Sequence, residues 1–311
     1  MEPSAAGAQQ LRRLTRRYPL LRGTGLLSSI VEKLRAPRRT PHAGGATGDW
    51  ALVPRANTHP AFALDLRDPW QRRVFYFTPS YGRLYLDAKV RWLLEAYLHP
   101  GAIFLDIGAN LGFFALEAAR LVAPRGIVYA FEPQPATFAS LERSAQLVEG
   151  AVVRCLPIAL SNAAHESMRF FLSRDFTSSS LRPEAPERAR RYAGEIRVRT
   201  ESLDRLVAGG EIPLSRIDLA KIDVEGAEAS VIEGMVATLS KTGLPPLFVE
   251  VRGPSGSTRA PDTYRQVLAL LDPLGYRVFR VAAPADLRPV SLEDVNGRET
   301  LLFRCREPRG A

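Results

Sequence analysis

The stretch FLDIGANLGFF, residues 104–114, decides the fold that we predict for this chain of 311 residues. Its apolar first half is typical of a buried parallel strand, and Asp106 closes that strand. Gly108 allows a sharp turn, and Gly112 lets the following helix start close to a ligand. A strand, a glycine turn and a helix in this order indicate an α/β sheet that binds ligands at its strand ends.

Strand-like and helix-like segments alternate on either side of this stretch. After residues 102–107, further buried strands are predicted at IVYAFE (127–132), VVRCLPIAL (152–160), RIDLAKIDV (216–224) and PLFVEV (246–251). Helical spacing follows in FFALEAARLVA, ATFASLERSAQLV, AEASVIEGMVATL and TYRQVLALL. This alternation predicts a Rossmann-like α/β fold with a mostly parallel, doubly wound sheet. YRVFRV (276–281) and TLLFRC (300–305) follow one another directly, which predicts an antiparallel strand near the edge.

Composition divides the chain into segments around this domain. We expect a basic leader at 1–40, a linker and N-terminal cover at 41–84, a main domain at 85–305 and a tail at 306–311. In the cover, RRVFYF (72–77) has the composition of a short strand. The main domain carries an insertion at 161–200, in which MRFFL and EIRVRT are predicted strands around a charged loop.

The positive charge is concentrated in the leader. The chain has a formal net charge of +9, and residues 1–40 hold nine basic and two acidic side chains. The rest of the chain is nearly neutral, so it offers no evident phosphate-binding surface and no nucleic-acid partner is expected. The leader is interpreted as a solvated arm or, because leucines and isoleucines alternate with arginines in 11–39, as a helix with weak membrane-surface contact.

No apolar run approaches the roughly 20 residues of a membrane-spanning helix. No secretory signal is visible, and the two cysteines, Cys155 and Cys305, make neither a disulfide framework nor a zinc site. Cys155 lies in an apolar stretch, where a buried core position is expected. A cytoplasmic location fits these features.

Two carboxylates at strand ends indicate the cofactor. Asn110 stands where the dinucleotide pattern GxGxxG has its middle glycine, and Asp106 suits the ammonium of a methionyl group better than a phosphate. Glu132 ends the next strand, 20 residues beyond Gly112, where it could accept both ribose hydroxyls. NAD and S-adenosylmethionine share that ribose, but the pairing of Glu132 with DIGANLG favours S-adenosylmethionine.

The ends of the next two strands provide further polar groups. Ser161 and Asn162 either hydrogen-bond the adenine edge or form an ordinary turn. In KIDVEGAE, residues 221–228, Asp223, Glu225 and Glu228 are three carboxylates within six residues. Because a helix N-terminus favours acidic residues in any case, one of the three is expected to be structural.

Methyl transfer is an in-line displacement, so the protein mainly aligns the acceptor with the methyl group. If the acceptor is a hydroxyl, Asp223 or Glu225 is a candidate base. His165 and Asp175, in the insertion, are further candidates for the base or for acceptor contacts. Trp50 and Tyr81 could stack on a sugar, although packing is the favoured interpretation. Mg²⁺ held by Asp223, Glu225 and Glu250 is an open alternative, but no metal is expected.

Five segments together resemble the FkbM family of S-adenosylmethionine-dependent methyltransferases: FLDIGANLGFF, FEPQP, SLDRL, KIDVEGAEASVIEGM and FVEVR. The resemblance covers about residues 85–305. It implies a class I methyltransferase fold and O-methylation of small molecules, sugars or polysaccharides. It also implies that the cofactor pocket is lined by Asp106, Gly108, Asn110, Gly112 and Glu132, with Asp223 at the junction of cofactor and acceptor.

Two other classes of function are weighed against this hypothesis. A nicotinamide-dependent oxidoreductase is disfavoured, because GxGxxG is missing and Asp106 is acidic. A non-catalytic binding protein that kept the fold remains the alternative, although its retained strand-end carboxylates argue against it.

Overall fold

The computed structural model describes residues 50–57, 59–173, 179–181, 192–253 and 262–305. The basic leader with its proposed membrane-contact segment, Asp175 and the tail at 306–311 lie outside the described residues. Within the described part, no helix combines the length and apolar character needed to cross a membrane.

The described elements follow the predicted alternation after an N-terminal hairpin and two helices. The strands are β1 (Trp50–Val53), β2 (Phe62–Asp65), β3 (Ile103–Ile107), β4 (Ile127–Phe131), β5 (Val152–Leu156), β6 (Ile158–Leu160), β7 (His165–Ser173), β8 (Tyr192–Glu201), β9 (Leu219–Ile222), β10 (Leu247–Arg252), β11 (Tyr276–Ala283), β12 (Asp286–Pro289) and β13 (Arg298–Cys305). The α-helices are α1 (Pro69–Tyr85), α2 (Ala88–Tyr97), α3 (Phe113–Val122), α4 (Pro135–Ala145), α5 (Leu203–Ala208), α6 (Glu228–Glu233), α7 (Val236–Lys241) and α8 (Thr263–Leu271).

The central sheet has eight strands in the order β12-β11-β13-β10-β9-β3-β4-β5. Strands β10, β9, β3, β4 and β5 pair in parallel, whereas β13 is antiparallel to both β10 and β11. The predicted doubly wound sheet with an antiparallel strand near its edge is therefore confirmed. The short strand β12, which pairs antiparallel with β11, was not predicted.

Strand β3 separates two hydrophobic cores. Leu105 and Ile107 point to one face of the sheet, while Phe104 packs into the core on the other face. Because side chains alternate along a strand, Asp106 shares the face of Phe104 and is fully buried there. The chain turn that follows β3 therefore begins from a rigid, buried strand.

The prediction of a strand at RRVFYF was wrong, because these residues lie inside α1. Asp68 caps that helix by accepting from the backbone N–H groups of Trp70 and Gln71, and Pro69 takes the first helical position. The apolar residues Trp70 and Val74 then bury one face. Local capping thus outweighs the β propensity of the aromatic residues.

Two other segments are interrupted where the sequence predicted continuous elements. Pro157 divides VVRCLPIAL into β5, at the sheet edge, and β6, which joins β8 and β7 in a separate three-stranded sheet. AEASVIEGMVATL is divided into α6 and α7 at Gly234 and Met235, and a Cβ at Gly234 would lie 2.0 Å from the Ser161 carbonyl oxygen. Cys155, on the edge strand β5, is only partly buried.

Candidate functional site

A cavity opens at the carboxyl ends of β3, β4 and β9, where the doubly wound sheet is expected to bind a ligand. Polar groups of the strand ends line it: Gly108, Asn110, Glu132, Lys221, Asp223 and Glu225. Its apolar wall includes Ile158, Leu160, Phe170 and Leu181 from the region of the insertion. Trp70 and Tyr85 of helix α1 and Arg298 of β13 also line the cavity.

The glycine turn after β3 is held by backbone contacts. Gly108 has φ +79°, and a Cβ there would lie 1.9 Å from the carbonyl oxygen of Asp223. The backbone N–H groups of Gly108 and Ala109 both donate to the carbonyl oxygen of Phe131. Gly108 therefore allows the loops after β3, β4 and β9 to meet at one point.

Gly112 has a different role from the predicted one. It begins helix α3 with φ +90°, and a Cβ there would lie 2.6 Å from a side-chain methyl of Leu141 in α4. Gly112 is not among the residues that line the cavity. Its smallness serves the packing of α3 against α4.

Asn110 and Glu132 are joined across the turn. Asn110 has a left-handed φ of +51°, which asparagine tolerates, and its Oδ1 accepts from the Leu111 N–H. Its own backbone N–H donates to Glu132 Oε2 at 3.0 Å, while Gln134 N–H donates to Glu132 Oε1 at 2.8 Å. Burial, opposed by these hydrogen bonds, raises the pKa of Glu132 to about 7.

Asp106 is paired with an ammonium of the protein itself. Asp106 and Lys221 are direct partners in the β3–β9 register, and Lys221 Nζ lies 3.1 Å from Asp106 Oδ1. Lys221 Nζ also donates to the Gly108 carbonyl oxygen at 3.0 Å. Burial lowers the pKa of Lys221, but Asp106 and Asp223 outweigh it, so that pKa lies above its ordinary value. Asp106 does not line the cavity, whereas Lys221 does.

Lys221 is a site residue that the sequence analysis did not select. Lys221 could have been found from its position in the apolar run LAKI, since a lysine that is buried in a strand requires a partner. Lys221 Nζ lies 3.8 Å from Asp223 Oδ2, so it connects the glycine turn with the carboxylates after β9.

Asp223 and Glu225, both predicted as catalytic, reach the cavity on its other side. Glu225 pairs with Arg252 at 2.6 Å and with Arg298, and Glu250 pairs with Arg298 Nε at 2.6 Å. Burial, followed by the charge of Asp223, raises the pKa of Glu225 to about 7 and that of Glu250 well above its ordinary value. This side of the cavity is therefore an ion-pair cluster.

Three further predicted residues, Ser161, Asn162 and His165, also lie outside the cavity lining. The Asn162 side chain donates to Glu233 Oε2, and the Ser161 hydroxyl to Asn162 Oδ1. The side chains of Ser161 and Asn162 are thus held at the turn after β6 and do not line the cavity. His165 is exposed and starts β7 opposite Thr200, so the structure does not bring this candidate base to Asp223.

The remaining candidates pack within the protein. Glu228 is buried, and its Oε1 accepts from the Gly226 N–H at the start of α6, as expected for the structural member of the three carboxylates. The Tyr81 ring packs at 5.1 Å from Trp70, and the guanidinium of Arg143 lies over the ring of Trp50. The aromatic side chains that reach the cavity from α1 are instead Trp70 and Tyr85.

Comparison with known proteins identifies the family. The sequence model of the Methyltransferase FkbM domain matches residues 106–278, more than half of the chain. The 2-O-methyltransferase NoeI of Sinorhizobium fredii is 30% identical over 55% of this chain and 73% of its own length. The 31-O-demethyl-FK506 methyltransferase FkbM of Streptomyces tacrolimicus is 33% identical over 44% and 61%, respectively.

The hexuronic acid methyltransferase AglP of Haloferax volcanii is 29% identical over 52% of this chain and 60% of its own length. The chain thus spans about 60% of the length of several curated relatives. The sheet and its strand-end cavity define a Rossmann-like protein of the class I methyltransferase fold, as predicted. The chain belongs to the FkbM methyltransferase family.

Proposed function

We propose that this protein transfers the methyl group of S-adenosylmethionine to a hydroxyl of a sugar or another small molecule. The observation that carries the proposal is the placement of Glu132 and Asp223 on one cavity, at the ends of β4 and β9. The Glu132 carboxylate suits a ribose, and the Asp223 carboxylate lies where an acceptor hydroxyl could be deprotonated.

The hydrogen bonds of Glu132 fit the ribose. Each of its two oxygens accepts one backbone N–H, from Asn110 or from Gln134. A carboxylate oxygen has two lone pairs, so each retains capacity for one further donor. The two hydroxyls of a ribose match that capacity. Ile158, Leu160 and Phe170 provide an apolar wall on which an adenine ring would be buried.

The other residues act on the acceptor. When bound, S-adenosylmethionine supplies an electrophilic methyl group on a sulfonium. Asp223 would accept the proton of the acceptor hydroxyl as the hydroxyl oxygen bonds to that methyl group and the bond between methyl and sulfur breaks, which would release S-adenosylhomocysteine. Lys221, at 3.8 Å, keeps the Asp223 carboxylate tied to the glycine turn, which aligns the two halves of the cavity.

Two observations support an oxygen acceptor of the sugar type. The names of two relatives specify O-methylation, and a third acts on hexuronic acid. In this chain, the aromatic side chains of Trp70 and Tyr85 line the cavity, where they could pack against the apolar face of a sugar ring. We also propose a cytoplasmic location, since Cys155 and Cys305 are free thiols.

Calorimetric titration tests the cofactor assignment. We expect wild-type protein to bind S-adenosylmethionine and not NAD. Glu132→Gln should weaken that binding by about tenfold to a hundredfold, because a charged acceptor is lost. Glu142→Gln, on the exposed face of α4, is the matched control and should bind as wild type does. Equal affinity in wild type and Glu132→Gln would refute the ribose assignment.

A further inference from the structure

The carboxylates of Asp223, Glu225 and Glu250 converge at the acceptor side of the cavity. Their oxygens can all lie within 4.8 Å of one another, a spacing that would also suit a metal ion. The Glu225 and Glu250 side chains are only 6% and 12% exposed. Three carboxylates this close and this buried need a cation, because the free-energy cost of burying unpaired charge is large.

Arg298 reaches all three carboxylates from a distant part of the sequence. It is the first residue of β13, opposite Arg252 in the register with β10. Its Nε lies 2.6 Å from Glu250 Oε2, and its terminal nitrogen contacts Glu225 and lies 3.9 Å from Asp223 Oδ1. The planar guanidinium can bind several carboxylates at once, which an ammonium does less well.

Arg298 balances part of the negative charge of this cluster. Glu225 has a second partner in Arg252 at 2.6 Å, whereas Glu250 is paired with Arg298. Without Arg298, three carboxylates would face the Arg252 guanidinium and the Lys221 ammonium, and Lys221 also pairs with Asp106. The cluster would then carry an excess of negative charge, which a divalent cation could offset.

We propose that Arg298 is the positioning residue of this cluster, a built-in cation that holds Asp223, Glu225 and Glu250 in the place where a divalent metal could otherwise hold them. Arg298 lies 20 residues beyond the segment that the family model matches, which ends at residue 278. The inference concerns charge and geometry in the protein alone, so it stands apart from the proposed methyl transfer.

Titration with Mn²⁺, followed by electron paramagnetic resonance of the free ion, tests the proposal. The full chain is used at about pH 8, because a carboxylate binds a divalent cation in its ionised form. Wild type should bind no Mn²⁺ at the cluster. Arg298→Ser should bind one ion, at least about tenfold more tightly than wild type, because the ligand charge is then uncompensated. Arg298→Lys keeps the positive charge and should gain less Mn²⁺ affinity than Arg298→Ser, although an ammonium pairs with several carboxylates less well than a guanidinium does.

Two controls localise the site. Arg298→Ser combined with Glu250→Gln should lose the gained Mn²⁺ affinity. Arg280→Ser removes an arginine of β11 that pairs with Glu299 outside the cluster, and it should gain no affinity. Thermal unfolding shows whether each variant is folded. If Arg298→Ser does not fold, Arg298→Gln, which keeps more of the side-chain volume, is held to the same outcomes.

Two results would overturn the proposal. One is Mn²⁺ binding by wild type as tight as that of the Arg298 variant. The other is a folded Arg298 variant that binds Mn²⁺ no better than the double variant. Neither measurement requires S-adenosylmethionine or an acceptor, so failure here is distinguishable from failure of the proposed function.

Discussion

The two ends of the cavity are held together in different ways. At the Glu132 end, the contacts are mainly backbone groups: the N–H of Asn110 and Gln134 on the carboxylate, and the close approach of Gly108 to the Asp223 carbonyl. At the Asp223 end, side-chain ion pairs from β9, β10 and β13 meet. Backbone contacts depend on the fold, whereas ion pairs depend on the identity of a few side chains.

The two ends of the cavity should also differ in how much they depend on the identity of the acceptor. The Glu132 end requires only a glycine turn and a carboxylate, which any acceptor would leave unchanged. The Asp223 end, together with Trp70 and Tyr85, lies where the acceptor is proposed to bind. Substitutions at the two ends should therefore affect different measurements.

The largest effect is expected at Gly108, where the two ends meet. Gly108→Ala places a Cβ 1.9 Å from the Asp223 carbonyl oxygen at a φ of +79°. We expect the free energy of unfolding to fall by about 3 kcal/mol or more. Gly210→Ala is the matched control: its φ is +76°, but nothing lies within 4 Å of the added Cβ.

Urea denaturation of both variants measures the difference. Gly210→Ala should lose only about 1–2 kcal/mol, the cost of the left-handed conformation itself. Equal losses in the two variants would show that the approach of Asp223 to the turn contributes nothing.

The second prediction separates chemistry from cofactor binding. Asp223→Asn should lower kcat by about a hundredfold, because the proposed base is lost. The dissociation constant of S-adenosylmethionine should stay within about threefold of wild type. Transfer of a labelled methyl group to sugars with free hydroxyls measures the first, and calorimetry the second. Asp286→Asn, in the β11–β12 hairpin, is the control that should leave both unchanged.

If the dissociation constant of S-adenosylmethionine rises by as much as kcat falls, Asp223 would be assigned to cofactor binding. The two ends of the cavity would then be one functional unit, and the separation drawn above would be wrong.

A third prediction is a pH dependence of stability at the Glu132 end. The folded-state pKa of Glu132 is raised from 4.5 to about 7 by burial, so the folded protein binds the proton more tightly than the unfolded chain. Stability should therefore fall as pH rises from about 5 to about 7. Glu132→Gln lacks this titration, so wild type should lose stability relative to the variant over that range.

Denaturation of wild type and Glu132→Gln in parallel at several pH values measures this difference, and the Glu142→Gln control should follow wild type. A difference that stays constant between about pH 5 and pH 7 would contradict the raised pKa.

The sequence predicted the residues that follow strands of the sheet. Glu132 and Asp223 were found because each directly follows an apolar run, and the ends of parallel strands meet at one edge. Lys221 and Arg298 were not found, because their partners depend on the order of the strands. Arg298 lies 73 residues from Glu225, and nothing local in either segment indicates that β13 pairs with β10.

The position of Ser161 and Asn162 outside the cavity lining has a local cause. The sequence predicts one strand over residues 152–160, and the end of that strand would lie beside Glu132. The chain instead leaves the central sheet at Pro157 and continues as β6 of another sheet. The cavity is therefore lined by Ile158 and Leu160, which precede the predicted residues by a few positions.

The position of β13 has a consequence for the order of assembly during synthesis. This last described strand inserts between β10 and β11, both of which leave the ribosome earlier. Until it arrives, β10 has an unpaired edge, and the hairpin of β11 and β12 has no partner in the sheet. Because Arg298 is the first residue of β13, the acidic cluster gains this second arginine, beside Arg252, in the same event that closes the sheet.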